Sequence, residues 1–118
     1  MTQHVRVSEV FERIPVAGPL GPPLGVPVSG APQTWLEEFT SDSERGIHTG
    51  FWRCEAGRSE WNFAETGEVT HVPAGRLVVT EQGGEPLELG VGDVASFPRG
   101  WRGTWEILEP LEKFYVML

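Results

Sequence analysis

A chain of 118 residues supports one hydrophobic core, and therefore one domain. Its formal net charge of −8 is spread along the sequence and repels phosphate backbones and anionic bilayers, which sets nucleic acid and membrane aside as partners. The single cysteine, Cys54, cannot close a disulfide within the chain, and the opening residues hold no apolar stretch suited to a signal peptide or membrane span, so a cytoplasmic location is expected.

In chain order, residues 5–14 have the pattern of at most one or two helical turns. Residues 15–33 gather most of the prolines together with many glycines, and predict an extended or partly disordered arm over residues 1–33. Val16, Leu20, Leu24, Val26 and Val28 are more apolar than a linker requires, which suits an arm lying across its own barrel or across a neighbouring subunit.

From Thr34 onward short β-type runs alternate with turn residues, at 34–40, 47–54, 60–64, 68–72, 76–80, 86–89, 93–97, 104–108 and 113–118. Nine strands at this spacing predict an all-β barrel or sandwich over residues 34–118. Gly83 and Gly84 supply the positive φ angles of a tight hairpin after Thr80, while Gly92-Asp93 and Pro98-Arg99-Gly100 open and close one short strand.

Two glycine-bounded blocks, residues 57–75 and 92–106, are similar in spacing to the two cupin motifs. The resemblance implies a single RmlC-like jelly-roll barrel. In that pattern the first block holds two histidines and a glutamate inside the barrel, and the second adds a third histidine. Here the histidine positions are Trp61, Phe63 and Gly103, and only Glu68 keeps its type. Residues i and i+2 of a strand share a face, so Trp61 and Phe63 fill the ligand space with rings. Rings and one carboxylate do not meet the three or four protein ligands a metal usually takes, and neither a metal nor another cofactor is expected.

The runs Gly50-Phe51-Trp52, Gly92-Asp93, Phe97 through Glu106 and Lys113-Phe114-Tyr115 resemble the small single-domain cupins related to the cupin domain of (S)-ureidoglycine aminohydrolase and to the ethanolamine-utilisation cupins. The resemblance spans residues 47–118. Ala56 and Glu112 depart from that subfamily, which commonly has proline and a basic residue there. The cupin resemblance implies a homodimer.

The function expected is binding of a small molecule in an aromatic pocket lined by Trp61, Phe63, Glu68, Trp101, Trp105 and Tyr115. The alternative is an enzyme related to ureidoglycine aminohydrolase, acting on a small nitrogenous metabolite with Glu68 as acid/base. Glu68 is expected among rings with no cation beside it unless Arg58, Arg76, Arg99 or Arg102 reaches in, so Glu68→Gln should leave stability unchanged or raised at neutral pH. A bland role for Glu68, hydrogen-bonded to Thr70, Tyr115 or backbone, is the competing reading. Trp101, directly after the Pro-x-Gly turn, is placed to line the barrel mouth, whereas Trp35, Trp52, Phe97 and Trp105 read first as core. Glu106 and Lys113 are expected to pair across successive strands, His71 to face outward, and Cys54 to be an inert buried thiol.

Overall fold

Apolar and polar residues alternate along most of the chain after residue 33, and this drives strands that bury one face. The computed structural model describes residues 1–118: α1 (Val7–Arg13), β1 (Val16–Pro19), β2 (Val26–Pro27), β3 (Gln33–Asp42), β4 (Ile47–Cys54), β5 (Gly57–Asn62), β6 (Glu68–Glu81), β7 (Pro86–Leu89), β8 (Val94–Phe97) and β9 (Arg102–Met117). All strand pairs are antiparallel, running β1-β3-β4-β9-β5-β2, with β6 joined to β7, β8 and β9. The first half of β9 pairs with β5 and the second half with β4, while β6 runs beside both halves. That change of partner curls the sheet into a barrel. No helix is long and apolar enough to cross a membrane.

Two pairs of short runs in the sequence are each one long strand. Runs 68–72 and 76–80 fuse into β6, and runs 104–108 and 113–118 into β9. The proline and glycine signals between them mark bulges rather than turns: the β6–β9 register shifts between His71 and Leu77, beside Pro73, Gly75 and Pro110. Proline is tolerated in strands at such irregularities because it gives up a ladder bond that is already broken. At the hairpin after β6, Gly83 alone carries the positive φ, and Gly84 donates its N–H to the Glu81 carbonyl.

Residues 1–33 lie against the barrel of the same chain. β1 pairs with β3 and β2 with β5, and Leu20 is buried in the main core with Leu24 packed beside it. Both strands are short and proline-limited, as edge positions allow. Helix α1 covers the outer face of β4 and β9, where Val10, Phe11, Ile14 and Phe51 form a second cluster, joined by Trp35, Phe39 and Phe114. Arg53 fastens the helix, donating from Nη2 to the Phe11 carbonyl and to Glu112 Oε2, each at 2.6 Å. Phe51 thus faces outward and Trp52 inward, as strand alternation requires.

Gly75 has φ +94°, and a Cβ there would lie 2.3 Å from the Pro110 carbonyl oxygen; Gly83, at φ +79°, has open space around it. Gly83→Ala is therefore expected to cost about 1–2 kcal/mol for the left-handed backbone alone. Gly75→Ala should cost at least about 3 kcal/mol, because the overlap adds to the conformational strain. Urea denaturation of the two variants measures both, and equal costs would show that the bulge yields.

Candidate functional site

Strand parity brings the interior residues together. From β5 come Ser59 and Trp61, with Phe63 just beyond its end; β6 contributes Glu68 and Thr70, β4 Trp52, and β9 Trp105, Lys113 and Tyr115. Trp61 stacks on Trp105 with centroids 4.1 Å apart, and Phe63 stacks on Phe97 at 5.4 Å. Trp61 Nε1 donates to Ser59 Oγ at 2.8 Å, which fixes the plane of the indole.

At the centre is an ion pair. Lys113 Nζ donates to Glu68 Oε2 at 2.7 Å, and both side chains are 3% exposed. Thr70 Oγ1 donates to the same oxygen. The ammonium lies 4.6 Å from the ring centroid of Trp52, 4.7 Å from Trp105, 5.3 Å from Trp61 and 5.8 Å from Tyr115. An aromatic box of this kind attracts a desolvated cation by about 2 kcal/mol or more per favourable ring contact. It offsets part of the cost of removing the ammonium from water.

Lys113 overturns two expectations from the sequence. It does not pair with Glu106, which lies on the same strand and faces out toward Arg58 at 3.9 Å. Nor is Glu68 without a cation, and the cation is none of the anticipated arginines. The pair is invisible in the local pattern because residues 111–116 offer apolar side chains on both faces: Leu111 and Tyr115 point in, while Phe114 packs with the α1 cluster.

The space left for a ligand is at the barrel mouth. A cavity of about 440 Å³ is walled by Trp61, Phe63, Glu68 and Met117, with Pro23 and Leu24 of the N-terminal segment across it. Glu68 reaches this cavity while both its partners sit on Oε2, and Oε1 makes no hydrogen bond. A second, open groove of about 720 Å³ lies on the outer side, between Pro22–Val26 and the β6–β7 hairpin, with Arg58 and Arg102 among its walls. Trp61, Pro23 and Leu24 border both spaces. Gly25 rests on Trp61 so closely that a Cβ would be 2.4 Å from Nε1.

Of the residues expected to bind ligand, Trp61, Phe63 and Glu68 meet at the mouth cavity. Trp101, Trp105 and Tyr115 do not line it: Trp105 is fully buried, Trp101 packs edge-on against Phe97 at 5.0 Å, and Tyr115 lies beneath Gly50. Met117, Pro23 and Leu24 also line the cavity, and for the last two the only sign in the sequence is the surplus apolar character of the segment. His71 is exposed, as its parity indicated.

The interior does not supply a metal donor set. Trp61 and Phe63 present rings, and Glu68 already holds Lys113. At Gly103 a Cβ would fall 2.2 Å from the Thr80 carbonyl oxygen, so a histidine there would require the backbone to move. Metals of the kind cupins bind want several N or O donors converging on one point, which these positions do not provide.

The curled antiparallel barrel with its Gly-Asp and Pro-x-Gly turns is a cupin domain. Residues 42–115 match the model of the EutQ-like cupin domain, and the chain belongs to that family. Solved structures share the fold. The EutQ protein of Clostridium difficile is 15% identical with a TM-score of 0.62, over 73% of this chain and 62% of that one. A putative ethanolamine utilization protein Q of Salmonella typhimurium is 21% identical with a TM-score of 0.62, over 72% of this chain and 68% of that one. A protein of unknown function from Pseudomonas syringae pv. tomato is 20% identical with a TM-score of 0.74, over 90% of this chain and 44% of that one. The chain thus spans less than two thirds of the length of the Clostridium and Pseudomonas proteins. No curated protein matches.

Breaking the ion pair should be costly. Glu68→Gln strands a buried ammonium and Lys113→Met a buried carboxylate, each expected to destabilise by about 3–5 kcal/mol, whereas the double variant should recover much of the loss. A double-mutant cycle by denaturation checks this; unchanged stability in Glu68→Gln, the outcome first expected from the sequence, would show the pair to be unimportant.

Burial raises the Cys54 thiol to about 12, with Lys113 lowering it and Glu55 raising it. Burial, then the negative charges of Glu68 and Glu38, raises the Tyr115 phenol to about 12. Both groups stay protonated in the folded chain above the pH at which they ionise when unfolded, near 9.0 and 10.0. Their contribution to stability is complete below those values and is lost as pH rises through the folded ones, because the unfolded state then binds fewer protons. Stability is expected to fall between pH 9 and 12, less steeply in Cys54→Ala and Tyr115→Phe. Denaturation midpoints across that range measure the slope, which a flat wild-type profile would contradict.

Proposed function

We propose that the chain is a metal-free cupin that binds a small molecule at the barrel mouth, between Phe63, Trp61, Met117 and Leu24, with Glu68 as its polar anchor. The observation that carries this reading is a cavity of about 440 Å³ into which a nearly buried carboxylate presents an oxygen without a partner. Small-molecule sites typically combine mostly apolar walls with a few converging polar groups, in volumes of about 300–1,000 Å³. The filled interior moves the binding site outward from the place where cupins hold a metal.

The alternative is an enzyme related to ureidoglycine aminohydrolase, with Glu68 as acid/base. Against it stands the commitment of Glu68 to Lys113 and Thr70, which suits a fixed anchor better than a proton carrier. A cytoplasmic homodimer completes the proposal; exposed Leu87, Val91 and Val94 along the β7–β8 edge are the apolar surface that supports association.

Native mass spectrometry of protein purified without chelators is expected to show a bound small molecule that is lost in Leu24→Trp, where an indole fills the cavity. Metal analysis of the same preparation should find no stoichiometric manganese, iron, nickel or zinc. One equivalent of any of these, lost with Glu68→Gln, would overturn the metal-free reading.

A further inference from the structure

The mouth cavity is strongly biased in charge. Its walls carry two carboxylates, Glu65 at the rim and Glu68 at the floor, and no lysine, arginine or histidine. The outer groove, separated from it by Pro23 and Leu24, does hold Arg58 and Arg102, so the absence of cations belongs to this cavity in particular. Glu68 is 3% exposed; Lys113 and Thr70 both bind Oε2, and Oε1 has no hydrogen-bond donor. Oε1 is thus free of donors within the chain and opens on the cavity, where a ligand bearing N–H groups can donate to it.

The remaining wall has matching chemistry. Phe63 and Trp61 present aromatic groups, Met117 a thioether and Leu24 an alkyl surface. Aromatic groups attract cations, and all four accept an apolar chain. Asn62 and Thr66 add neutral acceptors beside Glu65. An anion would meet Glu65 and Glu68 with no cation in the wall. Lys113 does not supply one, because it lies behind Glu68 on the other oxygen and does not line the cavity. The net charge of −8 also raises the local concentration of small cations around the chain.

We propose that the ligand is a small organic cation, an alkylammonium or alkylguanidinium, with its charged head on Glu68 Oε1 and its apolar body between Phe63 and Leu24. This rests on the mouth-cavity reading above and adds the ligand's charge and donor pattern to it. The head group forms a three-part array, ligand–Glu68–Lys113, in which one carboxylate bridges two cations through different oxygens. Specificity then comes from the donor requirement at Oε1 and the short apolar depth beyond it.

The test uses the full chain and three probes of equal length: n-butylammonium, butan-1-ol and butyrate, titrated at low salt. The Met117 methyl and Trp61 indole N–H resonances report occupancy. Butylammonium is expected to shift both and to bind at least about tenfold more tightly than butan-1-ol, as one desolvated cation contact would give, while butyrate shifts neither. Glu65→Gln, an exposed rim change that leaves the fold intact, should weaken butylammonium by about twofold or more through loss of one nearby charge. If butan-1-ol or butyrate binds at the same resonances as tightly as butylammonium, the cavity is real and the cation proposal is wrong. If none of the three shifts Met117 or Trp61, the cavity reading fails, and the proposal with it.

Discussion

A lysine placed at the centre of a barrel has to be neutralised and surrounded, and much of the interior of this protein follows from that constraint. Glu68 supplies the opposite charge, Thr70 shares the same oxygen, and Trp52, Trp61, Trp105 and Tyr115 turn toward the ammonium. The rings could not be exchanged for aliphatic groups without leaving the pair in a less forgiving environment, since an alkyl wall offers a cation no electrostatic attraction. Ser59 holds Trp61 in its plane, and the Trp105 stack depends on that plane. The Nε1–H of Trp105 is left buried without a partner, a cost the surrounding packing must absorb.

Filling the centre has a second consequence. The centre of the barrel is occupied by the ion pair and its rings, so open space begins at the mouth, and the N-terminal segment decides its shape. Leu20 and Leu24 add to the core, Gly25 permits contact with Trp61, and Pro23 and Leu24 divide the mouth cavity from the outer groove. Glycines make these contacts possible at two points, Gly25 against Trp61 and Gly50 against the Tyr115 hydroxyl, where any Cβ would overlap the ring. Membership of the EutQ-like cupin domain family fixes the barrel, whereas the chemistry depends on which side chains point into it, because one fold hosts many reactions and ligands.

The sequence by itself determined the all-β character, most of the strands and the shared face of Trp61 and Phe63, because each of these follows from alternation and turn chemistry within a few residues, whereas the inward direction of that face came from the resemblance to the cupin motifs. It also determined that Cys54 is buried. The merging of four runs into β6 and β9 was beyond it, since Pro73, Gly75 and Pro110 signal a break equally well whether the chain turns or bulges, and only pairing with the neighbouring strand settles which. The fate of Lys113 was likewise decided by tertiary structure alone. Helix α1 covers the outside of β4 and β9, so both faces of β9 carry apolar residues and alternation cannot say which way Lys113 points. A partner 45 residues away, Glu68 on β6, makes burial of that lysine tolerable, and no local pattern contains both.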